Sequence, residues 1–241
     1  MVVKRAVALG LLSLCFCFAC SAATHPLDAE LEKCKRDGED TWKTIECVDA
    51  VREKWREELG RSCDELMDML PKDGQLLLRN GQDAWEQWAE AESKLLSAIH
   101  MAIYDNLDGG KVWLVHGATA RMDLFRERAL EIAAYVDERR EGEVLADGIA
   151  VDEPLDDLLI GKRHEMIGSA LGGRYKSDTA RNLRLWEKHR EEEVAFIAWF
   201  RGKTDDDAFV RRTRFEMDAA RLKTLESLVK NLQSAFLLPR T

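Results

Sequence analysis

Residues 75–104 read QLLLRNGQDAWEQWAEAESKLLSAIHMAIY, and this stretch decides the fold class. Its apolar residues recur at three- and four-residue spacing, which is the period of an α-helix with one buried face. The apolar stripe consists of Leu78, Trp85, Trp88, Leu95 and Ile99. A Pro-Lys-Asp-Gly sequence precedes the stretch and a glycine pair follows it, and both are signals that end helices. The stretch therefore predicts one long amphipathic helix.

The same period recurs on both sides of this helix, and proline occurs only four times in the chain. Further helices are predicted over residues 46–70, 111–140, 155–171, 178–201 and 205–234. Thr204 is the predicted N-cap of the last one. Between residues 141 and 153 the periodicity lapses into charged and small residues, which indicates a linker. We therefore predict an all-α fold of two tandem antiparallel helical bundles, residues 24–140 and 154–241.

The two predicted bundles share a faint repeat. Trp85-Glu86 and Glu92 recur as Trp186-Glu187 and Glu193, an offset of 101 residues. Met122-Asp123, Arg126 and Leu130 recur as Met217-Asp218, Arg221 and Leu225, an offset of 95. The six-residue difference predicts a shorter inter-helix loop in the second copy. The second bundle is thus a diverged copy of the first or an unrelated extension, because chance matches are common among such helices.

The N-terminus has the layout of a secretory signal peptide. Lys4 and Arg5 precede an apolar run that ends in small residues, and cleavage after Ala22 or Ala23 is the simplest interpretation. The apolar run is shorter than the roughly 20 residues that a membrane-spanning helix needs. We expect residues 1–23 to be removed and the mature protein to be soluble, in the periplasm or secreted. The alternative is a lipoprotein signal in which Cys20 carries the lipid.

Three cysteines remain after this cleavage: Cys34, Cys47 and Cys63. An oxidising compartment favours a disulfide among them. We predict the Cys34–Cys47 bond, which would tie a short N-terminal segment to the following helix and stabilise the fold by roughly 3 kcal/mol in the chain-entropy model. Cys63 would then be a single thiol packed between helices.

The formal charge of −9 is unevenly distributed. Residues 24–140 hold 17 Lys and Arg against 26 Asp and Glu, whereas residues 141–241 hold 17 against 19. An acidic surface repels nucleic acid and anionic lipid and attracts cationic partners. The first bundle is therefore expected to bind a cationic protein and not nucleic acid.

No motif for catalysis, metal binding or a cofactor stands out. His164-Glu165 opens like a zinc-binding helix, but Gly168 occupies the position of the second histidine. The loop at Asp105 and Asp108 has too few oxygen ligands for calcium. There is no serine elbow and no cysteine with a matched histidine. We predict a protein that is not an enzyme and needs no cofactor.

The tryptophans divide into core and surface candidates. Trp55, Trp85 and Trp113 lie on apolar stripes and are predicted to be buried. Trp42 and Trp199 lie near helix ends and are the better surface candidates.

A family resemblance covers His25 to about Asp137. The residues that carry it are His25-Pro26-Leu27-Asp28, Glu46-Cys47, Trp55, Gln82-Asp83-Ala84-Trp85, Gly109-Gly110 with Trp113, and Arg126 with Ala129-Leu130. In order and spacing they resemble the LprI-like lysozyme inhibitors, small exported helical domains of bacteria. The resemblance implies an exported helical domain that inhibits lysozyme.

Two positions depart from this family. The family usually follows its tryptophan with an aromatic residue and an Arg-Asp pair, but here Trp88 is followed by Ala89-Glu90. The family also tends to have tyrosine at the position of Cys63. If the Arg-Asp pair serves binding, the domain would have kept the fold and lost the activity.

An inhibitor of this kind would insert an inter-helix loop into a glycosidase cleft that holds two acidic catalytic groups. The best candidate is the loop after the long helix, where Lys111 would meet those carboxylates. The predicted contact residues are Asn106, Asp108, Gly109, Gly110 and Lys111. An ordinary helix connection is the alternative interpretation of this loop. The predicted function is inhibition of a cationic lysozyme-type cell-wall hydrolase, and the alternative is a periplasmic scaffold or adaptor that inhibits no lysozyme.

Overall fold

The computed structural model describes residues 25–36, 40–107, 110–142 and 157–237. These residues form seven α-helices and no strand, with a 3-10 turn at Gly173–Tyr175. The helices are α1 (Pro26–Arg36), α2 (Thr41–Met69), α3 (Lys72–Asn106), α4 (Val112–Glu141), α5 (Asp157–Leu171), α6 (Lys176–Phe200) and α7 (Asp207–Leu237). The all-α prediction is confirmed. The predicted signal peptide with Cys20, and residues 143–153 of the predicted linker, lie outside the described residues.

Helix starts differ most from the prediction, because caps set them rather than apolar periodicity. The Asp40 side chain accepts a hydrogen bond from the Trp42 amide at 3.0 Å, so α2 begins five residues before the predicted 46. Thr204 is not the N-cap of α7. Asp206 takes that role, since its Oδ1 accepts from the Phe209 amide at 3.0 Å.

The predicted disulfide is confirmed. Cys34 of α1 is bonded to Cys47 of α2, with 5.6 Å between their Cα atoms. Cys63 is a free, half-buried thiol, also as predicted. Burial raises the pKa of Cys63 to about 11, which disfavours the reactive thiolate.

In the first half, α2 and α4 run in parallel. Arg121 near the start of α4 lies 3.6 Å from Asp49 near the start of α2, and Arg140 near the end of α4 pairs with Glu65 near the end of α2. In the second half, α5 and α7 are likewise in contact, with Arg163 bonded to Glu226 at 3.0 Å.

Helices α3 and α6 are antiparallel and join the halves. Gly74 at the start of α3 lies against Trp199 at the end of α6, and a Cβ at this glycine would come within 2.1 Å of the indole ring. Farther along, Glu92 of α3 accepts a hydrogen bond from Asn182 of α6. Buried residues of both halves belong to one hydrophobic cluster. The two bundles therefore lie side by side and share a core.

The burial pattern supports the predicted correspondence between the halves at several positions. At the predicted offset of 101, α2 and α3 correspond to α5 and α6, and several equivalent positions are similarly buried. Examples are Leu59 with Ile160, Leu66 with Ile167, Trp85 with Trp186, and Glu92 with Glu193.

For α4 and α7 the predicted offset of 95 is wrong, because it pairs the exposed Leu130 with the fully buried Leu225. An offset of 93 matches burial, pairing Arg128 with Arg221 and Ile132 with Leu225. The α3–α4 hairpin is therefore eight residues longer than its counterpart. The extra length lies in the helices and not in the predicted loop, since α3 continues seven residues past Ile99, the equivalent of the last residue of α6.

Candidate functional site

Four of the residues that carry the family resemblance meet where α1 crosses α2 and α4. Arg126 donates to both oxygens of Asp28, at 2.6 and 3.0 Å, and its guanidinium lies over the Trp55 ring. The His25 ring is tilted by 33° against the Trp55 ring, with 4.3 Å between the ring centroids. The bidentate bond from Arg126 lowers the pKa of Asp28. This cluster, together with the disulfide, holds α1 in place.

The Gln82-Asp83-Ala84-Trp85 motif lies in the core. Trp85 is buried, meets the Phe125 ring edge-on at 5.4 Å and lies beneath Arg128. Gln82 Oε1 accepts from Arg128 Nε at 3.3 Å. The core prediction is confirmed for Trp85 and also for Trp55, whose side chain is fully buried. Trp113 is half-buried against the core.

A buried ion pair crosses from α7 to α3. Arg221 donates to both carboxylate oxygens of Glu92, at 2.7 and 2.8 Å, and both side chains are at most 3% exposed. Asn182 donates a third bond to Glu92, and His164 lies 3.2 Å from Arg221. Burial alone would raise the pKa of Glu92, but these partners lower it on balance, so the carboxylate stays ionised.

The equivalent pair crosses from α4 to α6. Arg128 donates to Glu193 at 2.8 Å and to Glu131 at 2.7 Å, and Glu193 is 1% exposed. The sequence repeat relates Glu92 to Glu193 at an offset of 101 residues. It did not reveal their arginine partners, because Arg128 and Arg221 are related by an offset of 93. The pairs are sealed from solvent, so we assign them to holding the halves together.

Aromatic rings lie at the centre of the arrangement, between the two pairs. Trp88 stacks on His189 at 5.4 Å and meets Trp186 edge-on at 5.2 Å. Burial lowers the pKa of His189 to about 3, so this ring is neutral near pH 7.

The position that departs from the family has an informative counterpart. At the 101 offset, Ala89-Glu90 corresponds to Arg190-Glu191, which follows Trp186 and His189 much as the family pattern prescribes. Arg190 donates to both oxygens of the buried Asp218, at 2.9 and 2.7 Å, and so ties α6 to α7. At the 93 offset, Asp218 corresponds to Phe125. The first half thus has Ala89 and Phe125, both buried, where the second half has an ion pair.

The predicted loop is described in part. Asn106 ends α3, with its side-chain amide donating to the Ala102 carbonyl at 2.7 Å. Gly110 closes a tight corner by donating to the Leu107 carbonyl at 3.1 Å, and Lys111 is exposed. Asp108 and Gly109 lie outside the described residues. The structure leaves the binding role of the loop as a prediction.

Large apolar side chains are exposed near this loop. Trp42 is 59% exposed, Met101 47% and Val112 55%. The surface prediction for Trp42 is therefore confirmed. Trp199 is only partly exposed, because its ring lies against Gly74 and its Nε1 donates to Asp73 at 2.9 Å.

Two other properties concern only the described residues. They contain no group of three His, Cys, Asp or Glu side chains arranged to hold a metal ion. No helix among them is long and apolar enough to cross a bilayer.

Comparisons with known proteins find a family similarity in the first half. The family model "Lysozyme inhibitor LprI" matches residues 32–132. A crystal structure of an uncharacterised protein from Burkholderia thailandensis is similar in fold, with a TM-score of 0.60 and 19% sequence identity. That similarity covers 86% of this chain and 97% of the other, so both halves belong to the shared fold. No curated protein matches the sequence.

Proposed function

We propose that this protein is an exported inhibitor of a cationic, lysozyme-type cell-wall hydrolase, because the family model "Lysozyme inhibitor LprI" matches residues 32–132. It binds the hydrolase in the periplasm or outside the cell and occludes the catalytic cleft without chemistry of its own. The family match is the observation that carries the proposal.

Electrostatics support this choice of partner. The first half carries 26 acidic against 17 basic residues, whereas the second half is nearly balanced. Complementary charge raises the association rate and suppresses wrong partners more than it adds affinity. A cationic hydrolase would therefore be steered to the half that carries the family domain.

The missing Arg-Asp pair does not count against inhibition. Where the second half carries an arginine at the equivalent position, its side chain is turned inward to Asp218 and is 12% exposed. Ala89 and Phe125 fill the corresponding place in the first half with apolar groups. Buried ion pairs can be replaced by apolar residues of similar volume without loss of stability. The substitution thus removes a packing device and no exposed contact.

The long hairpin supports the predicted loop as the contact. The α3–α4 hairpin exceeds its counterpart by eight residues, and the exposed Lys111 lies at its end. A projecting loop with one cation suits a cleft that holds two catalytic carboxylates.

The test is inhibition of a c-type lysozyme by the mature full-length protein. Lys111→Glu should weaken inhibition about tenfold, since a charge reversal beside catalytic carboxylates costs roughly 1.4 kcal/mol or more. Lys72→Glu is the matched control, because Lys72 is exposed at the opposite end of α3. The control should stay within about twofold of the wild type, and association should slow at higher ionic strength.

A groove between α5 and α7 favours the alternative, an adaptor that inhibits no lysozyme. The groove has a volume of about 510 Å³, and its apolar lining includes Met166, Val229 and Leu232. Absence of both inhibition and binding at high micromolar concentration would move the assignment to the adaptor.

A further inference from the structure

Arg121 of α4 lies on one side of the bundle, below the α3–α4 loop. Its Nη1 donates to Ser97 of α3 at 3.2 Å, and its Nη2 lies 3.6 Å from Asp49 of α2. One side chain therefore touches both neighbouring helices, and Ser97 and Asp49 lie on the same side of the bundle.

Two exposed apolar residues lie on that side, nearer the loop. Trp42 precedes Asp49 by seven residues, which is two helical turns, and so lies on the same face of α2. Met101 follows Ser97 by one turn and so lies on the same face of α3. The start of α2 and the end of α3 both lie toward the α3–α4 loop. This is because α2 runs parallel to α4 and α3 leads directly into the loop.

Three exposed acidic residues lie within one helical turn of these apolar groups along the chain, and the exposed Lys43 lies next to Trp42. Asp40, Glu46 and Asp105 are exposed at the same end of the molecule. We define the tip surface as Trp42, Met101 and Lys111 with this acidic rim. An apolar centre with a charged rim is the usual composition of a protein interface.

The backbone at Trp42 is fixed from both sides. Asp40 caps α2 two residues before Trp42, and the Cys34–Cys47 disulfide bonds α2 to α1 five residues after it. A side chain on a rigid backbone loses less conformational freedom on binding than one on a flexible segment. The second half has no equivalent of this stapled corner in its described residues, 157–237.

We infer that the tip surface enters the polysaccharide cleft of the hydrolase, with the Trp42 indole in place of a sugar ring and Met101 beside it. This inference rests on the proposed function and extends the contact from the loop onto α2. Glycan clefts present apolar and aromatic walls around a few polar groups, and a tryptophan offers a flat apolar face with one polar edge. The acidic rim then faces the basic surface around the cleft.

Calorimetric titration of a c-type lysozyme with the mature full-length protein tests the inference. Trp42→Ala should weaken binding at least tenfold, as expected for a central aromatic anchor, and Met101→Ala about threefold. Leu76→Ala is the matched control, because Leu76 is 54% exposed near the opposite end of α3, and it should stay within about twofold. Saturating tri-N-acetylchitotriose, which fills the cleft, should compete with the wild-type protein.

The outcomes separate the two proposals. Wild-type binding that Trp42→Ala leaves unchanged would overturn the inference and leave the proposed function standing. Weakened binding without competition by the oligosaccharide would also overturn it, since the surface would then contact the enzyme outside the cleft. No wild-type binding would end the proposed function and the inference together. Thermal unfolding of each variant confirms that the fold is intact, and Trp42→Phe should restore part of the affinity.

Discussion

The two halves of this protein share one skeleton and differ at their ends. Each half contributes a long helix to the central antiparallel pair, and each supplies a buried glutamate to an arginine on the last helix of a bundle. Among the described residues, the first half adds α1, the disulfide and a longer hairpin. The second half adds the Arg190–Asp218 pair.

This difference separates structural features from functional ones. Residues that are buried at equivalent positions in both halves maintain the common core, and they include Trp85, Trp88 and Trp186. The features that only the first half has converge on the end that carries Trp42 and Lys111. Substitutions at equivalent positions of the two halves therefore test whether the core pairs hold the halves together. Substitutions at the end that carries Trp42 and Lys111 test whether this end is a binding surface.

The largest effect is expected from Glu92→Gln. It removes the only carboxylate that the structure shows bonded to Arg221, so a buried guanidinium loses its charge partner. Removing one member of a buried ion pair costs about 3–5 kcal/mol of unfolding free energy. Urea denaturation of the purified variant measures the loss.

Glu193→Gln is the control for this prediction, because it alters the equivalent residue. Arg128 keeps Glu131 at 2.7 Å, and one oxygen of Glu193 makes no hydrogen bond. The loss should therefore be clearly smaller than for Glu92→Gln. Equal losses would show that the two pairs are interchangeable and that Glu131 adds nothing.

The next largest effect is expected from removing the Cys34–Cys47 disulfide of the first half. Replacing Cys34 and Cys47 by serine should lower the unfolding free energy by about 3 kcal/mol, because the bond closes a loop of 13 residues in the unfolded chain. Thermal unfolding with and without reductant measures it. Cys63→Ser should respond to reductant as the wild type does, and a response lost in Cys63→Ser would mean that the thiols exchange.

Acid should destabilise the protein through His189. Its pKa is about 3 in the folded state against about 6.5 when unfolded, so the unfolded chain binds the proton first. The stabilisation is complete above pH 6.5 and is lost as the pH falls toward 3. Between pH 7 and 5 this group accounts for about 2 kcal/mol. His189→Phe keeps an aromatic ring and should flatten the pH dependence by that amount, whereas parallel profiles for variant and wild type would reject the assignment.

Apolar periodicity was sufficient to predict six of the seven α-helices that the structure describes, but it did not predict α1. It works because a helix that buries one face must repeat every 3.6 residues, whatever its partners are. The disulfide followed from compartment and cysteine count, and the surface position of Trp42 followed from its place near a helix end. Helix starts were less accurate, because Asp40 and Asp206 cap α2 and α7 at positions that apolar spacing does not mark.

The sequence did not predict which charged residues pair between helices. Arg128 and Arg221 are ordinary charged residues in a sequence rich in arginine, and only the packing of α3 on α6 brings them to Glu193 and Glu92. The predicted offset between α4 and α7 is two residues out of register, because residues that are identical at that offset differ in burial. The loop at Asn106 was found as a candidate, but α2 was not recognised as its neighbour.

The smallest expected effect concerns the exchange of an ion pair for apolar residues between halves. Arg190→Ala removes the guanidinium that bonds both oxygens of Asp218, which is 3% exposed, and should destabilise the protein. Adding Asp218→Phe recreates the Ala89 and Phe125 combination of the first half and should recover part of that loss. The coupling between the two substitutions in a double-mutant cycle should be at least about 1 kcal/mol. Additive losses would mean that the two halves pack differently at this point, and that the absence of the pair from the first half still requires an explanation in terms of binding.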